Sequence, residues 1–222
     1  NTIGPTLGIE DYQTYTNWGG ASGENVIGLT PNTTYKVKAK ALAGKYTESA
    51  YGPESSAATS AVSLTFDIDI GPTHSESAPP YVVPFGSLSI GSVNTATDKV
   101  WIDLSTNADY GAYVYIRDAN AGLKSTVLNY TITSSSTNLA SANEGYGIRG
   151  DTTSGLTFLS PYDGASDNVG VVDTTVRQLL NSGGAAVSGG WASFLLKVKP
   201  STTTPSASDY TDTLTIVASA TF

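Results

Sequence analysis

The sequence predicts an all-β protein. A β-sandwich or jelly-roll-like domain with one short helix occupies residues 63–222, behind a smaller, partial sandwich over residues 1–62. Three observations lead there. Several runs alternate apolar and polar residues with period two, the mark of strands buried on one face. Gly, Pro, Asn and Asp cluster between those runs as turn signals. Ser, Thr, Gly and Ala dominate a chain of 222 residues with 14% charged residues and 13 Tyr, a composition in keeping with exported all-β surface proteins.

Residues 1–27 are turn-rich, with Gly4-Pro5, Gly19-Gly20 and Ser22-Gly23. Tyr12, Tyr15 and Trp18 recur at every third position. Packing over an adjoining core is the favoured role for these rings, and stacking on the apolar faces of sugars is the alternative. From Gly28 the chain reads GLTPNTTYKVKAKALAGKYTESAYGPESSAAT. Leu29, Pro31, Thr33 and Tyr35 follow an L-x-P-x-T-x-Y spacing, and the stretch resembles the back half of a fibronectin type III domain. The resemblance implies an Ig-like sandwich and a tyrosine corner, in which the Tyr35 phenol bonds upstream backbone. Beyond it, Tyr35, Val37, Ala39 and Ala41 alternate with Lys36, Lys38 and Lys40, so the first set is expected to be buried under an opposing sheet. A complete domain of this family has about a hundred residues, yet 27 residues precede Gly28. The shortfall is expected to reflect a truncated or proteolysed parent, or a strand supplied by a neighbour. The donor would be residues 1–27 or the long strand Tyr210–Phe222. Residues 60–63 are a short linker.

The second unit opens on Leu64–Ile70, where Leu64, Phe66, Ile68 and Ile70 alternate with Thr65, Asp67 and Asp69. Gly71–Pro80 is a loop and holds the sole histidine, His74. A broken strand is expected over Tyr81–Ile90. Strands follow at Lys99–Thr106 and Ala112–Asp118, joined through a hairpin turn at Asn107–Gly111. Further strands are expected at Thr126–Thr133, Gly145–Arg149 and Leu156–Leu159. Asp173 or Thr174 can cap a short helix over Thr175–Asn181, which Gly183-Gly184 would end. Trp191–Lys199 turns Ala192, Phe194, Leu196 and Val198 to one face. In the last strand Tyr210, Leu214, Ile216, Ala218, Ala220 and Phe222 share a face, with Phe222 as a core or clasp residue.

The stretch FGSLSIGSVNTATDKVWIDLSTNADYGAYVYIRDANAGL, with DYTDTLTIVASATF at the end, is similar to C-terminal modules of large secreted bacterial surface proteins. In those proteins the module follows a fibronectin type III domain. The likeness implies secretion or display at the cell surface and no particular activity.

The chemistry-bearing residues are sparse. Zero Cys excludes disulfides, thiolate metal sites and Cys nucleophiles. With no initiator Met, the chain is expected to be processed or excised. No apolar run approaches the 18 residues of a membrane-spanning helix. His74 reads as a solvated loop residue. Gly145–Gly150 matches G-x-G-x-x-G, but no βαβ pattern surrounds it, so it reads as a glycine-rich strand. Asp67 and Asp69 share a strand face with Asp103 near, and read as solvated charges blunting an edge. Asp163, Asp167 and Asp173 offer oxygen ligands to Ca²⁺ as a weak candidate site, without EF-hand spacing; no other cofactor is expected. A net charge of −8 and a pI near 4.4 disfavour nucleic acid and anionic membrane. The expectation is a non-enzymatic extracellular structural protein. It would be a subunit of a cell-surface filament or layer, or the end of an adhesin stalk, with copies of itself or other surface domains as partners. A glycan-binding module is the alternative, with Tyr12, Tyr15, Trp18, Tyr110, Tyr113 and Tyr115 as stacking candidates.

Overall fold

The computed structural model describes residues 12–24, 26, 28–44 and 47–222. The turn at Gly4-Pro5 and the first eleven residues of the expected N-terminal donor lie outside them. The chain divides into two compact units, residues 1–62 and 63–222.

The first unit holds two small antiparallel ladders. β1 (Thr34–Val37) pairs with β4 (Ser55–Ala58), and β2 (Leu42–Ala43) pairs with β3 (Thr47–Glu48). The corner tyrosine does what its spacing requires: the N–H of Thr30 donates to the Tyr35 hydroxyl at 2.9 Å. The expected burial does not follow. Tyr35 is half-buried, Val37 is 62% exposed, and Ala39 is exposed. The reason is that each ladder has two strands and, among the described residues, no second sheet covers the Tyr35–Val37 face.

The second unit is an all-β sandwich. Its strands are β5 (Leu64–Gly71), β6 (Asn94–Thr95), β7 (Lys99–Thr106), β8 (Ala112–Asp118), β9 (Gly122–Ser125), β10 (Tyr130–Thr133), β11 (Thr137–Asn138), β12 (Gly145–Ser154), β13 (Thr157–Phe158), β14 (Asn168–Val169), β15 (Arg177–Asn181), β16 (Val187–Lys199) and β17 (Leu214–Ala220). One sheet runs β12-β16-β7-β5, with β6 also on β16; the other runs β13-β15-β8-β17. Alternation fixes their inner faces. Val100, Ile102 and Leu104 of β7 and Phe194, Leu196 and Val198 of β16 meet Val114 and Ile116 of β8 and Leu179 and Leu180 of β15 in one buried core. Full burial of side chains this size stabilises the fold by roughly 1.5–3 kcal/mol each.

Four expectations change. Residues 177–181 form β15, not a helix: Arg177 pairs with Ile116 and Asn181 with Tyr113. A bulge between Gln178 and Leu180 lets Leu179 and Leu180 both be buried. Seven residues nucleate a helix poorly, and the sheet offered two buried leucines instead. The Asn107–Gly111 turn is not a hairpin, because β7 and β8 lie in different sheets. Residues 81–90 form no strand; Val83, Phe85 and Leu88 pack against the core from an irregular segment. Phe222 is 52% exposed and clasps nothing in the core.

The glycine-rich stretch does lie on a strand, β12. A Cβ at Gly150 would collide with the Phe158 ring, and one at Gly147 would lie 2.7 Å from the Gly170 carbonyl oxygen. These glycines admit close packing rather than a phosphate.

Candidate functional site

Two regions of the second unit gather chemistry or open surface. The first is the outer face of the β12-β16-β7-β5 sheet. There the loop after β5 folds back so that His74 stacks on Trp101, with ring centroids 4.8 Å apart and planes 9° from parallel. Trp191 leans on both rings at 5.3 and 5.8 Å. His74 Nε2 meets the Asp103 carboxylate at 2.8 and 3.1 Å, and the Trp101 indole N–H donates to the Gly71 carbonyl at 3.0 Å. Trp101 is 6% exposed, so His74 covers it rather than leaving it free to stack on a ligand. His74 is exposed on its loop, as the sequence suggests, and it also anchors that loop to the sheet. Among the described residues no hydroxyl bonds its ring, so the His74–Asp103 dyad has no nucleophile attached.

Asp67 lies directly opposite Asp103 in the β5–β7 ladder. Asp67, Asp69 and Glu76 bring carboxylate oxygens within 4.8 Å of one another. Asp69 is buried, and its Oδ1 accepts the Ser77 N–H at 2.6 Å and the Ser77 hydroxyl at 3.0 Å. Tyr81 has its pKa raised, first by desolvation and then by the charges of Asp67, Asp69 and Glu76. The acidic loop predicted to offer calcium ligands does not form such a group. Asp167 pairs with Lys197 at 2.8 Å, Asp173 grips Arg177 through two bonds of 2.6 and 3.1 Å, and Asp163 is exposed. Arg177 holds the Asp173 carboxyl below its usual value.

The second region is the open side of the sandwich, between the edge strands β5 and β17. β5 starts and β17 ends close to the 107–111 connection, where Leu64 pairs with Thr106 and Ala220 with Ala112. Toward the other end an apolar cleft of about 900 Å³ opens, lined by Ile68, Ile70, Phe85, Tyr146, Tyr210 and Ile216, among others. Leu64, Phe66, Ile68 and Ile70 on one edge, and Leu214, Ile216, Ala218 and Ala220 on the other, face the core yet stay half-exposed.

The two edges differ. On β5 two of the outward N–H groups are already occupied: Ile68 donates to Asp67 Oδ1 and Ile70 to Ser77 Oγ, each at 2.9 Å. On β17 they are open. Thr221 N–H bonds Gly111 on the β8 side at 2.9 Å, so the alternate residues Leu214, Ile216, Ala218 and Ala220 direct their N–H groups away from β8. Among the described residues nothing bonds to them. No residue from 213 to 222 is charged or Pro, the devices that usually blunt an edge. Within the Tyr210–Phe222 segment, expected as a donor strand, Leu214–Ala220 pairs with its own β8, and among the described residues its other edge is unpaired.

Deeper in, Asp118 (1% exposed) accepts the Ala121 N–H at 2.7 Å, and Asp212 accepts the Thr213 N–H at 2.8 Å. The Oδ2 atoms of both are buried without a hydrogen-bond partner. Burial pushes Asp118 up to about 6, against the N–H groups of Ala121 and Asn120 and with the charges of Asp212 and Asp173 adding to it. Burial also raises Asp212.

The expected stacking residues are scattered. Tyr12, Tyr15 and Trp18 are exposed in the first unit, where Tyr12 bonds Glu48 at 2.7 Å. Tyr113 and Tyr115 sit 6.3 Å apart on the outer face of β8, and Tyr110 is exposed beside the 107–111 connection. Leu29 is half-buried and Pro31 exposed at the tyrosine corner. Sequence reading missed the pairing of Trp101 with Trp191. Its signal was two tryptophans on the polar phase of neighbouring alternating strands. It also missed the β17 edge, whose signal was the absence of charge. No family model matches the chain, and no curated protein shows significant similarity to it.

Proposed function

We propose that this chain is a non-enzymatic structural protein of the extracellular surface. In this reading it is a subunit of a filament or layer, or the end of an adhesin stalk, joined to its neighbours by strand addition. The observation that carries the reading is the β17 edge: seven residues, uncharged, unbonded on one side among the described residues, and bordering an apolar cleft. Such an edge is a template for pairing with another chain. Secretion and surface display rest on the resemblances in the sequence.

Ala218→Pro tests it. Ala218 points its N–H off the edge, so proline there blocks an incoming strand while leaving the β17–β8 ladder intact. Light scattering and negative-stain microscopy are expected to show assemblies of the unaltered chain and monomers of the variant, with melting temperatures within about 4 °C of each other. A strictly monomeric unaltered chain would overturn the reading. A second reading, glycan binding, draws on the half-exposed Tyr113–Tyr115 pair. A glycan array with no signal that depends on those two tyrosines would remove it.

A further inference from the structure

Two acidic side chains stand where the strand pattern puts apolar ones. On β8, Asp118 is in phase with the buried Val114 and Ile116. Just before β17, Asp212 is in phase with Leu214 and Ile216. Leu214 pairs with Asp118, so the two carboxyls lie near each other on the inner side of the sheet. Burial raises the Asp118 carboxyl, and the charge of Asp212 adds to it. The N–H groups of Ala121 and Thr213 satisfy one oxygen of each. The other oxygen of each, Oδ2, is buried with no donor, and Asp118 as a whole is 1% exposed. A buried acceptor without a partner is costly, and more so when it carries charge. This pair is short of a donor and of a positive charge.

Both carboxyls act on the apolar cleft between β5 and β17. Asp212 lines it, and so does Tyr146, whose hydroxyl titrates high through burial first and then through the charges of Asp212 and Asp118. The cleft measures about 900 Å³, the scale of small-molecule sites, which are apolar with a few convergent polar groups. Among the described residues that line it, Asp212 is the only charged one. The field elsewhere along it is negative too. Tyr81 and Tyr210 also line the cleft, and burial raises both. The charges of Asp67, Asp69 and Glu76 add to the effect at Tyr81, and Tyr130, Glu144 and Asp209 add to it at Tyr210.

We propose that this cleft binds a free aliphatic amine in its ammonium form, with the N–H groups turned to the unpartnered oxygen of Asp212, the Asp118 carboxylate adding its charge, and the chain lying against Ile70, Phe85 and Ile216. Each part of the ligand answers one feature. The chain answers the apolar walls. The positive charge answers two carboxylates and a lining without Lys or Arg, and aromatic rings such as Tyr146 and Phe85 also attract a cation. The N–H groups answer the unpartnered acceptors, which a quaternary ammonium would leave bare. Calcium fits less well, because it takes about six to eight oxygen ligands and apolar walls supply few. The inference does not rest on strand addition: Ala218, where that reading is tested, does not line the cleft.

Isothermal titration calorimetry on the full chain tests it, at about pH 8, above the range in which Asp118 titrates. The probes are octylammonium, octyltrimethylammonium, 1-octanol and octanoate. Octylammonium is expected to bind about tenfold or more tighter than octyltrimethylammonium or octanol, with octanoate weakest. Asp212→Asn is expected to weaken octylammonium about tenfold or more while octanol stays within about twofold, which also shows that the variant keeps its cleft. Asp118→Asn is expected to act in the same direction and less strongly. Asp109→Asn removes an exposed charge outside the cleft lining and is expected to change nothing. An equal loss in Asp109→Asn would reveal only general attraction to a chain of net charge −8 and overturn the site. Equal affinity of the unaltered chain for octanol and octylammonium would overturn the role of the carboxylates. Displacement of octylammonium by calcium would reassign them to a metal ion. Association between copies that Asp212→Asn abolishes would reassign them to a lysine of another chain. Either result overturns the free amine.

Discussion

One hydroxyl ties the start of β1 to the turn before it. Tyr35→Phe keeps the ring and removes the acceptor for the Thr30 N–H. An exposed bond of this kind contributes about 1 kcal/mol, so hydrogen exchange at the Thr30 amide is expected to rise about fivefold. In the second unit, Asp118 has the opposite character. Its carboxyl is nearly fully buried, one oxygen has no donor, and its pKa is raised to about 6. The unfolded carboxyl titrates near 3.8, so between about pH 4 and 6 the unfolded chain releases a proton that the folded chain keeps. Stability from this group is therefore full below about pH 4 and lost as pH rises through 6, by on the order of 2 kcal/mol. Asp209 acts in the other direction. The Ser125 hydroxyl and the Val127 N–H hold it down to about 2, so its contribution is present above about pH 4 and fades as pH falls toward 2. Asp118→Asn is expected to flatten the pH 4–7 limb and to raise the melting temperature at pH 8. A melting curve series that keeps the same slope in the variant would contradict this.

Among elements, β15 is instructive because the helix signals around it were real. Asp173 does bond the Thr175 N–H at 2.9 Å and does grip Arg177. The cap-like turn leads into a strand because β8 offers pairing partners and the core takes Leu179 and Leu180. Leu180→Ala is expected to destabilise the second unit by about 2–5 kcal/mol in urea unfolding, while a helix on the surface would lose far less. The loop after β5 shows a different dependence. His74 holds it through a ring stack and the Asp103 carboxylate. His74→Ala is expected to uncover Trp101 and Trp191 and change the near-ultraviolet circular dichroism. The stability loss should stay near 1 kcal/mol, since the pair is partly exposed. An unaltered spectrum would mean the stack does not persist in solution.

At the scale of the whole molecule, the two units differ in what holds them. Among the described residues of the first unit none is buried, whereas the second has a continuous core from Val100 to Val198. Amides of β1 and β4 are expected to exchange within minutes, and those of β7, β8 and β16 to be protected for hours or longer, with the protection set by global unfolding. Strong protection at Lys36 and Ser56 in assembled material, but not in monomer, would show that a neighbour covers that ladder as well. Much of this architecture was legible beforehand. Lys99–Thr106 and Ala112–Asp118 match β7 and β8 residue for residue, because a period-two pattern needs only the local chain to declare a buried face. The corner at Tyr35 was legible for the same reason, its bond reaching five residues. What the pattern misplaced depends on distant partners: the sheet each strand joins, the exposure of Val37 and Phe222, and the separate fates of Asp163, Asp167 and Asp173.

By itself the sequence determined that this is an all-β chain, where its clearest strands begin, and which of their side chains turn inward. Those are set by alternation and turn chemistry within a few residues. Only the tertiary structure decided that 107–111 crosses between sheets, that 177–181 is a strand, that His74 lies on Trp101, and that among the described residues β17 has one side unpaired. Each of those depends on which strands become neighbours, and that is settled by packing two inner faces together. No local period encodes it.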